Sequence, residues 1–210
     1  MLRALRSAGG PTGLERAPTL RAIERYVGVL FSHLDAASLP RQARSRLERD
    51  LIVLSGLWGL VAPNDRIPAY SLTMGTVLPP LGRLSGWWRP RLSPVLDNRV
   101  RGAVVWDLLS NEYAVAWRSL TGTTYERRIT PKVVVEVARP DGGIVRRVES
   151  HHAKAVRGAI ARQVLVRGLH DLEGLADVDP SLLLGHEVDL SATTASGAAV
   201  TVELVRPLGR

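Results

Sequence analysis

Apolar positions in this chain recur at two spacings, one helical and one strand-like, and the two interleave along its length. From 19 to 34, Leu20, Ile23, Val27, Leu30 and Leu34 fall at helical intervals behind Thr19, an N-cap residue type, with Gly28 interrupting them. The pattern predicts a helix that breaks near Gly28. A second helix is signalled by Ser38 as N-cap and Pro40 in the first turn. The polar run RQARSRLERD follows, and its Arg41, Arg44 and Arg46 can face water. Helix, glycine turn, helix is therefore expected from Arg21 to Arg49.

Next, LIVLS reads as a short buried strand bounded by Gly56. PRLSPVLDNRV predicts a weak helix, GAVVWDLL a buried strand, and NEYAVAWRSL a helix that Ser110 or Asn111 can cap. VVVEVA and IVRRVE flank RPDGG, whose Asp-Gly-Gly supplies the positive-φ residues of a tight hairpin. HHAKAVRGAIARQVLVRGL sets Val156, Ala159 or Ile160, and Val164 on one stripe and leaves Lys154, Arg157 and Arg162 largely off it. That predicts a basic amphipathic helix with Gly168 near its end. LLLGHEVDL and AAVTVELV around SATTASG predict a terminal hairpin. Helices interleaved with strands, some of them hairpins, imply a mixed α/β (α+β) class: a single domain with a mixed sheet and surrounding helices.

Composition narrows the function classes. A length of 210 residues suffices for one real core. The absence of cysteine excludes protein-borne disulfides, thiol catalysis and thiolate metal sites, and fits a reducing cytoplasm. MLRALRSAGG lacks a continuous apolar core, and no long uncharged apolar run follows, so neither export nor membrane insertion is expected. Gly9, Gly10, Pro11, Gly13 and Pro18 predict a flexible segment over 1–18, ahead of a domain over 19–210.

The formal net charge is +8, and it is unevenly placed: residues 1–105 hold fifteen arginines and seven acids, whereas 106–210 hold thirteen of each sign. A one-sided cationic excess suits a polyanion such as nucleic acid, because clustered cations displace condensed counterions. The turn between Arg21 and Arg49 could hold a phosphate on backbone N–H groups, with arginines adding charge. It could equally be an ordinary helical hairpin with a solvated basic face.

Other motifs carry less chemistry. SGLWGL has glycines, but neither a Walker Lys-Ser/Thr nor a dinucleotide GxGxxG follows. A packed corner covered by Leu57, Trp58 and Leu60, with Pro63 and Pro68 stiffening its exit, explains the glycines. Ser150, His151 and His152 are adjacent and lack an orienting acid, so they read as surface or cap residues. Five scattered histidines form no metal pattern, and no cofactor is expected.

Four segments, YVGVLFSHLDAASL, LIVLSGLWGLVAPNDRIPAYSLTMG, VVWDLLSNEYA and SHHAKAVRGAIAR, occur in an order and spacing that resemble the YaaA peroxide-stress family. The resemblance runs from Thr19 to about Gly168. It implies a cytosolic bacterial protein of mixed α/β fold with a positively charged cleft and a helix-hairpin-helix element. It also implies DNA binding and a link to limiting free iron and oxidative DNA damage. The matching corner residues are Ser55, Gly56, Leu57, Gly59, Pro63, Asp65, Tyr70, Leu72, Met74 and Gly75. Ser110, Glu112 and Tyr113 match the next segment, and Lys154, Arg157, Gly158 and Arg162 the basic helix. The hairpin maps onto Arg25, Tyr26 and Gly28 and the basic helix behind Ser38, and the resemblance implies Arg25, Tyr26, Gly28, Arg41, Arg44, Lys154, Arg157 and Arg162 as DNA-binding candidates, with Ser55, Gly56, Gly59, Asp65, Tyr70, Glu112 and Tyr113 as corner and cleft residues.

Departures from the pattern bear on affinity. Ala62 and Ser71 stand where many members carry arginine, Ala155 where many carry lysine, and Thr73 where an acid is common. Each lost cation removes about one unit from the salt slope of binding. The family's usual N-terminal portion, with a Ser-Pro-Ala-Lys-like or Pro-Ser-Glu-Gly-Lys-like motif, has no counterpart, so a shortened member is expected, with an exposed sheet edge if that portion contributes a strand. The leading expectation is a non-enzymatic protein that binds DNA by charge and backbone shape during peroxide stress. The alternatives are an enzyme acting on nucleic acid or a nucleotide, with Asp65, Glu112, Lys154 and Arg157 converging, or an inactive shortened remnant.

Overall fold

The structure, a computed structural model, describes residues 16–118, 124–150 and 152–209. Most of the segment expected to be flexible, His151 and the end of NEYAVAWRSL lie outside the described residues.

In chain order the first elements are β1 (Thr19–Arg21), α1 (Ala22–Arg25), α2 (Val29–Leu34), a 3₁₀ turn (Ala36–Ser38) and α3 (Arg41–Asp50). There follow β2 (Val53–Ser55), β3 (Gly59–Val61), β4 (Arg66–Pro68), β5 (Val77–Leu78), β6 (Gly82–Arg83) and α4 (Leu84–Arg99). The rest are β7 (Val104–Trp106), α5 (Asn111–Ala114), β8 (Arg127–Ala138), β9 (Ile144–Val148), α6 (Ala153–Arg167), α7 (Leu172–Ala176), a second 3₁₀ turn (Pro180–Leu183), β10 (Glu187–Ser196) and β11 (Ala199–Arg206). This is the mixed α/β class. The chain groups into two compact units, one of residues 1–27, 45–99 and 109–122, the other of 28–44, 100–108 and 123–210.

The first unit holds three two-stranded pairings, β1 with β4, β2 with β3 and β5 with β6, all antiparallel. Here the local reading is corrected at Thr19. It begins a strand, opposite Pro68, and Arg66 donates to both its hydroxyl and its carbonyl. A partner 47 residues away outcompetes the local cap. Helix α4 starts six residues earlier than PRLSPVLDNRV predicts and continues through Pro90 and Pro94. The turns that lose a backbone bond at proline are held from outside: Trp117 Nε1 donates to the buried Asp97 at 3.0 Å, and the Arg118 N–H to Ser93 Oγ at 3.1 Å. The helix expected at NEYAVAWRSL is reduced to four residues, and Ser110, although at the N-cap position, makes no side-chain capping bond.

The second unit is built on a five-stranded mixed sheet in the order β10-β11-β8-β7, with β9 also pairing to β8. β8 runs parallel to β11 and β7 and antiparallel to β9. The register sets Val200, Val202 and Leu204 beside Ile129, Pro131 and Val133, so alternate residues of both strands share one face. Val156, Ala159 and Ile160 of α6, with Leu172 and Leu175 of α7, pack on Ile129, Val133, Val202 and Leu204 to form the core. The opposite face is ionic, with Lys132 and Arg146 on Glu203 and Arg146 also on Asp189. Hydrogen bonds from Ser191 and the Arg146 guanidinium bring Asp189 down to about 2.

Two local expectations hold here. The RPDGG hairpin joins β8 to β9, with Gly142 at φ 82°, and Gly168 closes α6 in the left-handed conformation. Two are corrected. Ser38 ends the 3₁₀ turn and bonds back to Asp35, while α3 starts only after Pro40. And α6 is buried on more than one side, because Gly158 and Ala161 are sealed as well as the Val156 stripe.

Candidate functional site

The LSGLWGL corner belongs to the first unit, and its glycines are explained by contact. A Cβ on Gly56 would stand 2.6 Å from Leu72 O, and one on Gly59, at φ 77°, would stand 2.7 Å from the Trp88 ring. Trp88 also donates its Nε1–H to Gly56 O at 2.9 Å. Gly75 is equally constrained, since a Cβ there would meet the Glu112 carboxylate at 2.6 Å. Met74, beside it, is fully buried.

Between these glycines lies a directed chain of hydroxyls. Ser55 Oγ accepts the N–H groups of Leu57 at 3.2 Å and Trp58 at 3.0 Å, which occupy its two lone pairs. Its own proton therefore goes to Tyr70, 2.6 Å away, and the Tyr70 and Tyr26 hydroxyls share a hydrogen bond of 2.7 Å. Burial, reinforced by Tyr70, pushes the Tyr26 phenol up, and burial does the same for Tyr113, so both remain protonated donors at neutral pH. The rings of Tyr26 and Trp58 each meet Tyr70 edge to face, at centroid distances of 6.4 and 6.3 Å. Tyr70→Phe should cost about 1–3 kcal/mol, because the Ser55 hydroxyl then loses its acceptor and the Tyr26 hydroxyl its partner. A urea titration checks this; a midpoint unchanged from the parent would show that the chain is not stabilising.

Asp65 closes a turn, accepting the Ala62 N–H on Oδ2 at 2.8 Å, and no hydrogen bond joins it to Glu112 among the described residues. Arg25 donates from Nη2 to Pro18 O at 3.3 Å. On α4, Arg91 lies 3.8 Å from the centroid of the Trp87 ring.

In the second unit, Gly28 takes the N-cap position of α2 with open space around its Cα. Arg41 and Arg44 are exposed on α3, and Arg44 also donates to Leu39 O at 3.0 Å. Arg162 ties α6 to the end of α2, donating to Leu34 O, Asp35 O and Ser38 Oγ at 3.0, 3.0 and 2.9 Å. Lys154 is exposed, and Arg157 is half-buried.

The same unit contains a break in its sheet. The amide of Asp107, just past β7, donates to Ile129 O, and the amide of Glu149, just past β9, donates to Val133 O. β7 and β9 thus approach one edge of β8 from opposite directions, each with its carboxyl end at the gap. Four residues of β8 separate the two bonds, about 13 Å at strand rise. Pro131 sits midway on that edge, where the nitrogen without hydrogen has no strand to bond.

Buried carboxylates flank the gap. Asp107, 5% exposed, accepts Arg128 Nε and Nη2 on one oxygen, at 3.0 and 2.6 Å. Glu149, 9% exposed, accepts His152 Nδ1 at 2.7 Å, His186 Nε2 at 3.1 Å and Arg206 Nη2. His186 is 1% exposed, and its Nδ1 faces Leu183 O and Leu184 O. Both of its ring nitrogens thus face oxygens. Burial pushes Glu149 up, but hydrogen bonds from His186 and His152 and the Arg206 charge outweigh it and hold its pKa below the usual value. Among the described residues, no group of three or more His, Asp or Glu side chains is arranged to hold a metal ion.

Asp107, Arg128, Glu149, His186 and Arg206 were not singled out in the sequence. A usable signal existed for two of them, an acid directly after the β-rich segments AVVW and IVRRV, where the carboxyl ends of strands form binding crevices in open α/β sheets. The two units divide the remaining candidates: Arg25, Tyr26, Ser55, Asp65, Tyr70, Glu112 and Tyr113 belong to the first, and Gly28, Arg41, Arg44, Lys154, Arg157 and Arg162 to the second.

A mixed-sheet α/β protein with a cysteine-free, arginine-rich surface and a Ser-Gly-Leu corner locked to a tyrosine pair is the class that these features define. The family described as Peroxide stress protein YaaA matches residues 5–183, and the chain belongs to that family. It is 38% identical over 195 residues to a UPF0246 protein of Streptomyces coelicolor, covering 92% of this chain and 72% of that one. A UPF0246 protein of Alteromonas mediterranea is 32% identical over 180 residues, or 82% and 66% of the two chains. For one from Corynebacterium glutamicum the identity is 37% over 153 residues, covering 71% of this chain and 56% of the relative. No helix among the described residues is long and apolar enough to cross a membrane.

Proposed function

We propose that this member of the YaaA family binds DNA through charge and backbone shape, with little base reading, as part of the response to peroxide stress. The observation that carries the reading is the placement of arginine. The described residues of the first unit hold eleven arginines against six acids and no lysine, whereas the second unit is close to balanced. A guanidinium fork suits bidentate phosphate contact, and an excess confined to part of a chain is the footprint of polyanion binding. In the second unit, Arg41 and Arg44 on α3 and Lys154 on α6 are exposed cations of their own.

Duplex DNA binding measured across a salt series tests the proposal. The logarithm of affinity should fall linearly with the logarithm of salt, with about 0.9 of slope for each phosphate neutralised. The double variant Arg41→Ala, Arg44→Ala should bind more weakly with a slope smaller by up to about two, and circular dichroism should show it folded. Absence of binding at low salt would sink the idea.

A further inference from the structure

Residues 168–205, all in the second unit, hold seven acids and neither lysine nor arginine, in a chain whose net charge is +8. Within this run the second 3₁₀ turn presents an apolar pair to solvent. Leu182 and Leu184 are 45% and 39% exposed, whereas Leu183 between them is 1% exposed and belongs to the core. Leu183 and the buried His186 pin the turn on both sides, so the two outer leucines stand on a fixed backbone. Leu184 has φ 58°, in the left-handed region, where a branched side chain is strained and glycine is not. Two exposed acids precede the leucines: Asp179 accepts the Ser181 N–H at 2.8 Å, and Asp177 has no ion pair among the described residues.

The first unit carries the complementary shape and charge. Ile52, Leu60 and Val95 help to wall an open, mainly apolar cavity of about 220 Å³. An apolar cavity of about 150 Å³ takes a benzene-sized group, so this one has room for a leucine side chain. Glu48, Arg49 and Arg99 also line it. Arg49 is paired with Asp50, whereas Arg99 donates only to the Arg49 carbonyl, at 2.8 Å, and has no ion pair among the described residues. The cavity thus sits in the arginine-rich unit with a guanidinium beside it that lacks a carboxylate. A phosphate backbone gains nothing from apolar walls, but an exposed leucine flanked by acids does.

We infer that copies of this chain associate head to tail, Leu182 and Leu184 of one seating in the Ile52, Leu60 and Val95 cavity of the next, with Asp177 and Asp179 set toward Arg99. Removing the leucines from water supplies the attraction, and the opposite charges fix the orientation. The two surfaces are different, so the contact is heterologous: each copy offers both, and association runs on past a dimer. The left-handed leucine fits this role, since a turn that had only to fold would be better served by glycine. The contact does not rest on the DNA reading.

Sedimentation velocity on the full chain, freed of nucleic acid, tests this over a concentration series reaching about 1 mM, the weak end of specific association. Wild type should sediment faster as concentration rises and pass beyond a dimer at the top of the series. Leu184→Gly should weaken association about tenfold or more, yet melt near or above the wild-type temperature, because glycine relieves the left-handed backbone. A purely structural role for Leu184 leaves association unchanged. Val95→Glu, which sets a carboxylate at an exposed position of the cavity wall, should weaken association to a similar degree. Ala62→Glu, on the same lining, takes its place if that variant fails to fold. The deciding measurement mixes Leu184→Gly, which keeps its cavity, with Val95→Glu, which keeps its leucines. Each alone should stay monomeric at concentrations where the mixture forms a one-to-one complex that grows no further. Three results overturn the proposal: wild type monomeric throughout, variants that associate as wild type does, or a mixture no more associated than its components.

Discussion

Replacing Gly158 with alanine should destabilise the protein by about 3 kcal/mol, the upper part of the range for overpacking a filled site. The added Cβ would lie 2.2 Å from Leu30 O, 2.8 Å from His33 Cβ and 3.0 Å from Leu30 C. Two of these atoms are backbone, so no rotamer change relieves the contact, and α2 must move off α6. Helix propensity acts in the opposite direction, since alanine in place of glycine inside a helix gains up to about 1 kcal/mol. The sign of the measured change therefore decides between the two effects. For a chain of this length the loss should appear as a melting temperature lower by about 6–12 °C. Gly86→Ala in α4, where the new Cβ meets nothing within 4 Å, is the control and should be neutral or stabilising. A Gly158→Ala protein as stable as its parent would show that α2 and α6 are not packed this closely.

The second large effect is expected at Glu149. Its carboxylate receives His152, His186 and Arg206, and the His186 ring has almost no solvent contact. Glu149→Ala leaves the buried His186 ring nitrogen and the Arg206 guanidinium without their shared carboxylate, and breaking a buried pair on one side costs about 3–5 kcal/mol. Glu149→Gln should also destabilise, because the amide retains one acceptor oxygen but turns an NH₂ group toward donors. The pH dependence follows from the lowered folded pKa of Glu149. A depressed carboxyl contributes stability that is fully present above its ordinary value of 4.5 and is lost as pH falls through the lower, folded value. The stability gap between wild type and Glu149→Ala should therefore be wide near neutrality and narrow below pH 4.5. Urea titrations at several pH values measure it, and a gap that widens on acidification would contradict this account.

How much of this was legible along the chain varies with the range of the interactions. The β8–β9 hairpin could be read because Asp141, Gly142 and Gly143 meet the backbone requirement of their own turn. The end of α6 could be read because Gly168 alone satisfies the left-handed cap. Thr19 was misread because its residue type suits both a cap and a strand start, and the choice fell to Arg66 and Pro68, far along the chain. Helix α4 was read too short because prolines break helices locally, whereas Asp97 with Trp117 and Ser93 with Arg118 hold this one together. The Ser-Gly-Leu corner was recognisable as a family motif. Its chemistry was not, since Ser55, Tyr70 and Tyr26 become a hydroxyl chain only when segments 15 and 44 residues apart are folded together.

The sequence by itself determined the mixed α/β class, the family, the one-sided arginine excess and the turns that glycine permits, because each depends on residue type or on neighbours within a few positions. Tertiary structure alone decided which charges are satisfied. Arg128, Arg162 and Arg206 found oxygen partners at separations of 21, 124 to 128 and 57 residues, and the Nε of Arg157, of the same residue type, has no acceptor among the described residues. Hydrogen bonding acts only over about 3 Å, so the partner of a charged side chain is set by which segments the fold brings together and not by the order in which they are written.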